Sequence, residues 1–276
     1  ISLIYTNVVY LLRKLDVTGK FKMRQLTIIL TLIIFVSCGQ RNNNTTSSQT
    51  SIMTLDTLTA DNYVMTFYNS DSFPPTDIYG DLNYRINLTD TIGNWHTRAE
   101  KIQNYLADKF RDYFFTTDST LVLKLADGKT TSFLKWDNEK DEGYNFEHYF
   151  DKIDYYLLRV QWGEGNCWML VNRQNGFKKY ISGLPYISLD NKQIITTNTD
   201  LEAGYSFNGL ELYSILADSL QTEFSKETVF GPTDVKWISQ NEFLIRREHF
   251  HVDTITGNQD NIIDYKRVTI EKKTSQ

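Results

Sequence analysis

The sequence predicts a mainly β protein, with repeated antiparallel units in its C-terminal half and N-terminal strands interrupted by one helix. Three features predict it. Short β-branched and aromatic runs are separated by Asp-Gly and Asn-Gly turns. An aromatic-aliphatic-polar segment recurs at spacings of 37 and 51 residues. A single stretch carries apolar residues at helical spacing. Composition agrees: 276 residues that are 41% hydrophobic, 14% aromatic and 23% charged can bury a core, which excludes a disordered chain or a coiled coil. A net charge of −5 argues against nucleic acid as a partner, because phosphate recognition needs a basic surface.

In chain order, the first signal is a leader. Met23-Arg24 reads as the start, which makes residues 1–22 upstream translation outside the mature protein. Residues 26–36 form an apolar run followed by Ser37-Cys38-Gly39, so residues 23–37 read as a secretory signal. The run is shorter than the roughly 20 apolar residues a membrane span needs. Phe35-Val36-Ser37-Cys38 resembles the lipobox of bacterial lipoproteins, with Phe35 where Leu is usual. That resemblance implies cleavage before Cys38 and lipid on Cys38, and therefore the membrane as a partner. Residues 38–52 are polar and low in complexity, as a tether should be. Cleavage removes five basic residues and one acidic residue, leaving a net charge of −9. With Cys38 lipidated, Cys167 stands alone, no internal disulfide forms, and Cys167 reads as a small buried hydrophobe.

Residues 53–139 read as an N-terminal β region with one helix. Residues 63–68, 82–88 and 121–125 have strand character. Ala99, Ile102, Leu106, Phe110 and Tyr113 share one helical face, and Thr97 with Glu100 makes a capping box, so the helix is expected over 98–114. Asp127-Gly128 joins residues 121–126 to 130–136 as a hairpin. The helix interrupts the repeat spacing, so these strands are expected to form a separate sheet with it.

Residues 140–276 carry the repeats. Residues 155–162 and 167–172 flank Gly163-Glu164-Gly165-Asn166, and Asn175-Gly176 turns into 177–181. Tyr156, Leu158, Val160 and Trp162 share one strand face and Tyr155 and Leu157 the other, so this strand is apolar on both sides and lies between layers. Tyr186-Ile187-Ser188 and Trp237-Ile238-Ser239 each precede a polar turn and an apolar strand, and a weaker copy surrounds Asp151. Self-similarity at this period marks propeller-like blades. Trp237 is expected to pack between two such sheets. Tyr186-Ile187-Ser188-Leu189-Asp190-Asn191-Lys192 is similar to the Ser-Pro-Asp-Gly-Lys turn of many blades, with Leu189 for Pro and Asn191 for Gly. Together with Glu164-Gly165, Asn175-Gly176, Gly183-Leu184-Pro185 and the segment from Asp200 to Tyr205, it makes residues 144–245 resemble uncharacterised bacterial (Bacteroidota-type) lipoproteins with propeller-like repeats. That resemblance implies no activity.

No nucleophile elbow, phosphate-binding glycine loop or zinc-protease helix is present, so no catalytic residue, metal or cofactor is assigned. His249 and His251 would share a strand face, but two histidines do not make a metal site. Trp162, Trp168 and Trp237 are candidates for a sugar-stacking platform, with core packing the commoner role for such residues. Asp200, Glu202 and Glu211 are candidate cleft carboxylates, with solvated loop acids the commoner role. The ligand-binding candidates are thus Trp162, Trp168, Asp200 and Glu202. The function expected is a lipid-anchored envelope protein with a non-catalytic binding or scaffold role and a protein or carbohydrate ligand. The alternatives are an envelope hydrolase acting on glycan or peptide, and a ligand sensor or outer-membrane assembly accessory. The expected location is the cell envelope at the outer membrane; no acidic run follows Cys38, which favours the periplasmic side.

Overall fold

The computed structural model describes residues 56–60, 62–163, 165–252 and 259–273; the leader, Cys38 and the tether lie outside the described residues. The chain opens with β1 (Asp56–Ala60) and β2 (Tyr63–Ser70), then α1 (Leu82–Thr89) and α2 (Trp95–Lys109). A meander of β3 (Phe114–Thr116), β4 (Thr120–Lys124) and β5 (Thr130–Leu134) forms the first sheet. The second sheet holds β6 (Gly143–Phe150), β7 (Tyr155–Trp162), β8 (Gly165–Asn172) and β9 (Lys178–Ile181). The third holds β10 (Leu184–Ile187), β11 (Gln193–Asn198), β12 (Gly209–Ile215) and β13 (Leu220–Glu227). In the fourth, β14 (Gly231–Trp237), β15 (Glu242–Val252) and β16 (Gln259–Lys272) continue through β2 to β1. Every pairing is antiparallel, so the protein is mainly β with four antiparallel sheets.

Local chemistry explains the hairpins. Gly128 at φ +83° turns β4 into β5, and Gly176 at φ +74° turns β8 toward β9, conformations that cost a glycine little. Alternation then feeds three separate cores. From β7, Tyr156, Leu158 and Val160 pack with Leu106 of α2 and Leu121 and Leu123 of the first sheet. From its other face, Tyr155 and Leu157 pack with Ile194, Tyr213 and Leu220 of the third sheet. The third sheet repeats the device, with Ile195, Leu210 and Leu212 meeting Met65, Phe67, Trp237, Phe243 and Val268 of the fourth. Each inner sheet is therefore apolar on both faces, because both are covered. Among the described residues, no core cluster joins the first sheet to the fourth.

The repeated segments occupy matching places. Asp151, Ser188 and Ser239 each lie in the turn between the first and second strand of successive sheets. Ser188 Oγ accepts from the Gln193 backbone at 2.9 Å, and Ser239 Oγ from the Asn241 backbone at 3.4 Å. Trp237 of β14 is buried and donates through Nε1 to the Tyr186 carbonyl of β10 at 2.8 Å, which ties two first strands together.

Three expectations are corrected. The predicted helix over 98–114 runs from Trp95 to Lys109, because Asn94, not Thr97, is the N-cap and its side chain accepts from Thr97 N at 3.2 Å. Its stripe of Ala99, Ile102 and Leu106 is buried as expected. Residues 82–88 form a second helix rather than a strand: the Asp77 carboxylate gathers the backbone N–H groups of Tyr79, Gly80 and Leu82 just before it, and Arg85 pairs with Asp81 one turn back. The N-terminal strands do not form one sheet of their own, since β2 pairs along its length with β16 while β3, β4 and β5 form the first sheet.

Candidate functional site

Two loops from neighbouring sheets meet around a cavity of about 360 Å³. One is the β11–β12 connection. There Asp200 accepts at Oδ1 from the backbone N–H groups of Ala203 (3.1 Å) and Gly204 (2.9 Å), and at Oδ2 from the backbone (2.6 Å) and hydroxyl (3.1 Å) of Ser206. Gly204 takes φ +65° to close this ring of donors. Asn208 accepts from Asp200 N and donates to the carbonyls of Thr228 and Phe230, which fixes the loop to the chain beyond β13. Partial burial pushes the Asp200 carboxyl up, but the Ser206 and Gly204 donors outweigh it and hold its pKa below the usual carboxylate range. Asp200 is thus an ionised staple for its own loop and is unsuited to act as a general acid.

The other loop is the tip of the β7–β8 hairpin. The Trp162 indole lies across Gly165, where a Cβ would meet its Nε1 at 2.5 Å, so glycine lets the ring settle there. Trp162 is 37% exposed and Tyr205, from the opposite loop, 82% exposed. Asn166, Asn198, Asp200 and Ser206 complete the polar lining. Asn198 Nδ2 donates to Ser206 Oγ at 3.1 Å. The arrangement offers aromatic faces beside amide and hydroxyl groups, held by loops whose backbones are already bonded.

Of the sequence candidates, the structure brings Trp162 and Asp200 into this one pocket. Glu202 is exposed on the same loop outside the lining, and Trp168 is buried in mid-strand beneath the Arg159 guanidinium at 4.4 Å. Trp237 is also buried, so the three indoles form no platform. Glu211 is committed elsewhere, accepting at Oε2 from Ser182 N (3.0 Å), Ser182 Oγ (2.6 Å) and Thr196 Oγ1 (3.1 Å). Tyr205, Asn166 and Asn198 were not singled out from the sequence; the polar, glycine-containing run after Asp200 was the available signal.

The remaining candidates have structural surroundings. His249 Nε2 lies 3.3 Å from Asp264 Oδ1, and Asp264 also takes the fork of Arg247 at 2.8 and 2.6 Å. Burial raises the Asp264 pKa, but Arg247, Lys266 and His249 prevail and bring it to about 2. Burial, aided by the charge of Glu142, pushes the Cys167 thiol up to about 12. Among the described residues, no group of three or more His, Cys, Asp or Glu side chains converges as a metal site. Also among them, no helix is long and apolar enough to cross a membrane. No family model matches the chain, and neither a curated protein nor a solved structure matches it.

Proposed function

We propose that this chain is a lipid-anchored protein of the bacterial cell envelope, held through lipid on Cys38 at the outer membrane and facing the periplasm. Its folded part has a non-catalytic binding role, with a carbohydrate ligand seated between Trp162 and Tyr205. The observation that carries the ligand reading is the meeting of two outward aromatic rings with Asn166, Asn198 and Ser206 around one cavity. Aromatic faces take the C–H faces of a sugar, while amides and hydroxyls exchange hydrogen bonds with its rim. The anchor rests on the Phe35-Val36-Ser37-Cys38 motif. Each buried methylene of an acyl chain contributes about 0.8 kcal/mol, so two or more chains give stable attachment. The same reading takes the second, third and fourth sheets as propeller-like blades in an incomplete array. The recurring first-turn segments support it, as does β1–β2 completing the last sheet from the opposite end of the chain.

Titration with cell-wall and neutral oligosaccharides, followed by tryptophan fluorescence, should give a saturable change. Trp162→Ala should weaken binding about tenfold, the equivalent of about 1.4 kcal/mol of lost stacking. Equal affinity in the variant would remove the pocket from the reading, and binding of peptides instead would make the ligand a protein. For the anchor, Cys38→Ala should move the protein to the soluble fraction or leave it as uncleaved precursor. Fractionation and migration identical to the wild type would sink that part.

A further inference from the structure

We propose that a second pocket, where the helix pair leans on the second and third sheets, binds a small organic anion: an apolar body bearing a phosphate or carboxylate head. The cavity holds about 270 Å³, room for a single ring or a short chain. Its walls include Leu82 and Ile86 of α1, Trp95 and Ile102 of α2 and Leu184 of β10, and Trp95 is 62% exposed at the mouth. Three guanidinium groups, Arg85, Arg98 and Arg159, line it against one carboxylate, Glu147.

The charges do not balance locally. Arg85 is 3% exposed and fully engaged: Nε on Asp81, Nη1 on Glu147 Oε1 at 3.1 Å and Nη2 on the Glu147 carbonyl at 3.1 Å. Asp81 is shared with Lys109 at 3.2 Å. Glu147 Oε2 takes only the Nε of Arg159, at 3.3 Å, so the two terminal nitrogens of Arg159 make no hydrogen bond among the described residues. Arg98 stacks over Trp95 at 4.8 Å and gives its Nε to the Ile92 carbonyl. Arg85, Arg159 and Lys109 therefore share two carboxylates, Asp81 and Glu147, and Arg98 adds a further cation that touches neither, in a chain whose net charge is −5. A half-buried cation excess beside apolar walls is costly alone and is neutralised by an anion that a guanidinium fork can grip. The Trp162 pocket shares no lining residue with this one, so either reading can fail without the other.

Calorimetric titration of the full chain with phenyl phosphate tests the proposal, with inorganic phosphate and phenol as separate arms. Phenyl phosphate should bind saturably, at least about tenfold more tightly than either fragment, and less tightly as salt is raised. Arg159→Gln should weaken it at least about tenfold. Arg98→Gln, at the open mouth and outside the buried pair network, should weaken it several-fold with an unchanged circular dichroism spectrum, and decides the matter if Arg159→Gln fails to fold. No binding of phenyl phosphate overturns the proposal. So does equal affinity for phenol, which would make the site merely apolar, or for inorganic phosphate, which would make the walls irrelevant. Unchanged affinity in folded variants would put the ligand elsewhere and overturn it too.

Discussion

His148 sits on β6 among the rings of Tyr79, Phe110 and Phe150, with centroids at 5.6, 5.7 and 4.8 Å, and its buried Nδ1 has no hydrogen-bond partner. Burial pushes its pKa down to about 4, and the charges of Arg85 and Lys109 push the same way. In the unfolded chain a histidine titrates near 6.5, so on acidification the unfolded state takes up this proton first. The contribution to stability is complete above pH ~6.5, is lost progressively between about 6.5 and 4, and changes no further once the folded state also protonates. The loss reaches at most about 3 kcal/mol. His148→Phe should abolish that decline, as read from urea midpoints at pH 7 and about 4.5; an equal decline in the variant would assign it to another group. Asp264 acts at lower pH, its stabilisation fading as pH falls from about 3.9 through about 2, so the two effects separate along the pH axis.

Between elements, Trp237 of β14 lodges against β10 in the shared core and bonds the Tyr186 carbonyl. Trp237→Ala should cost roughly 3–5 kcal/mol, a large part of the stability of a typical domain, and lower the melting temperature accordingly. Trp237→Phe, which keeps most of the bulk and loses only the bond to Tyr186, should cost about 1 kcal/mol for that bond plus a smaller packing loss. A melting temperature unmoved by either would show that the contact is not part of the cooperative core. This joint was readable from the repeat, as the hairpins at Asp127-Gly128 and Asn175-Gly176 were from their turn residues, because both signals are local. The helix α2 was readable because its inward stripe is apolar. The helix α1 was not: it turns Arg85 and Thr89 inward and leaves Tyr84 and Ile86 outside, so hydrophobic periodicity points the wrong way. The first pocket was half legible. Trp162 ends its strand at a hairpin tip while Trp168 lies mid-strand, and Tyr205 reaches the cavity only because two sheets bring distant loops together.

At the scale of the molecule, three cores lie between four sheets, and two sheets must bury both faces for any of it to hold. Long-range pairing is concentrated where β2 meets β16, with Phe67 opposite Val268. Such pairing closes a loop of nearly the whole folded chain, which slows folding relative to the neighbouring hairpins. During synthesis the two partners are also separated in time. With about 200 residues between them and elongation at about 5–20 residues per second, β2 waits on the order of 10–40 seconds for its neighbour to be made. Throughout that interval the edge of β2 that will pair with β16 stays open to any passing strand, and Met65 and Phe67 lack Val268 and Ile270, their core neighbours from β16. Among the described residues, the hairpin made first is thus the last to be secured in its sheet.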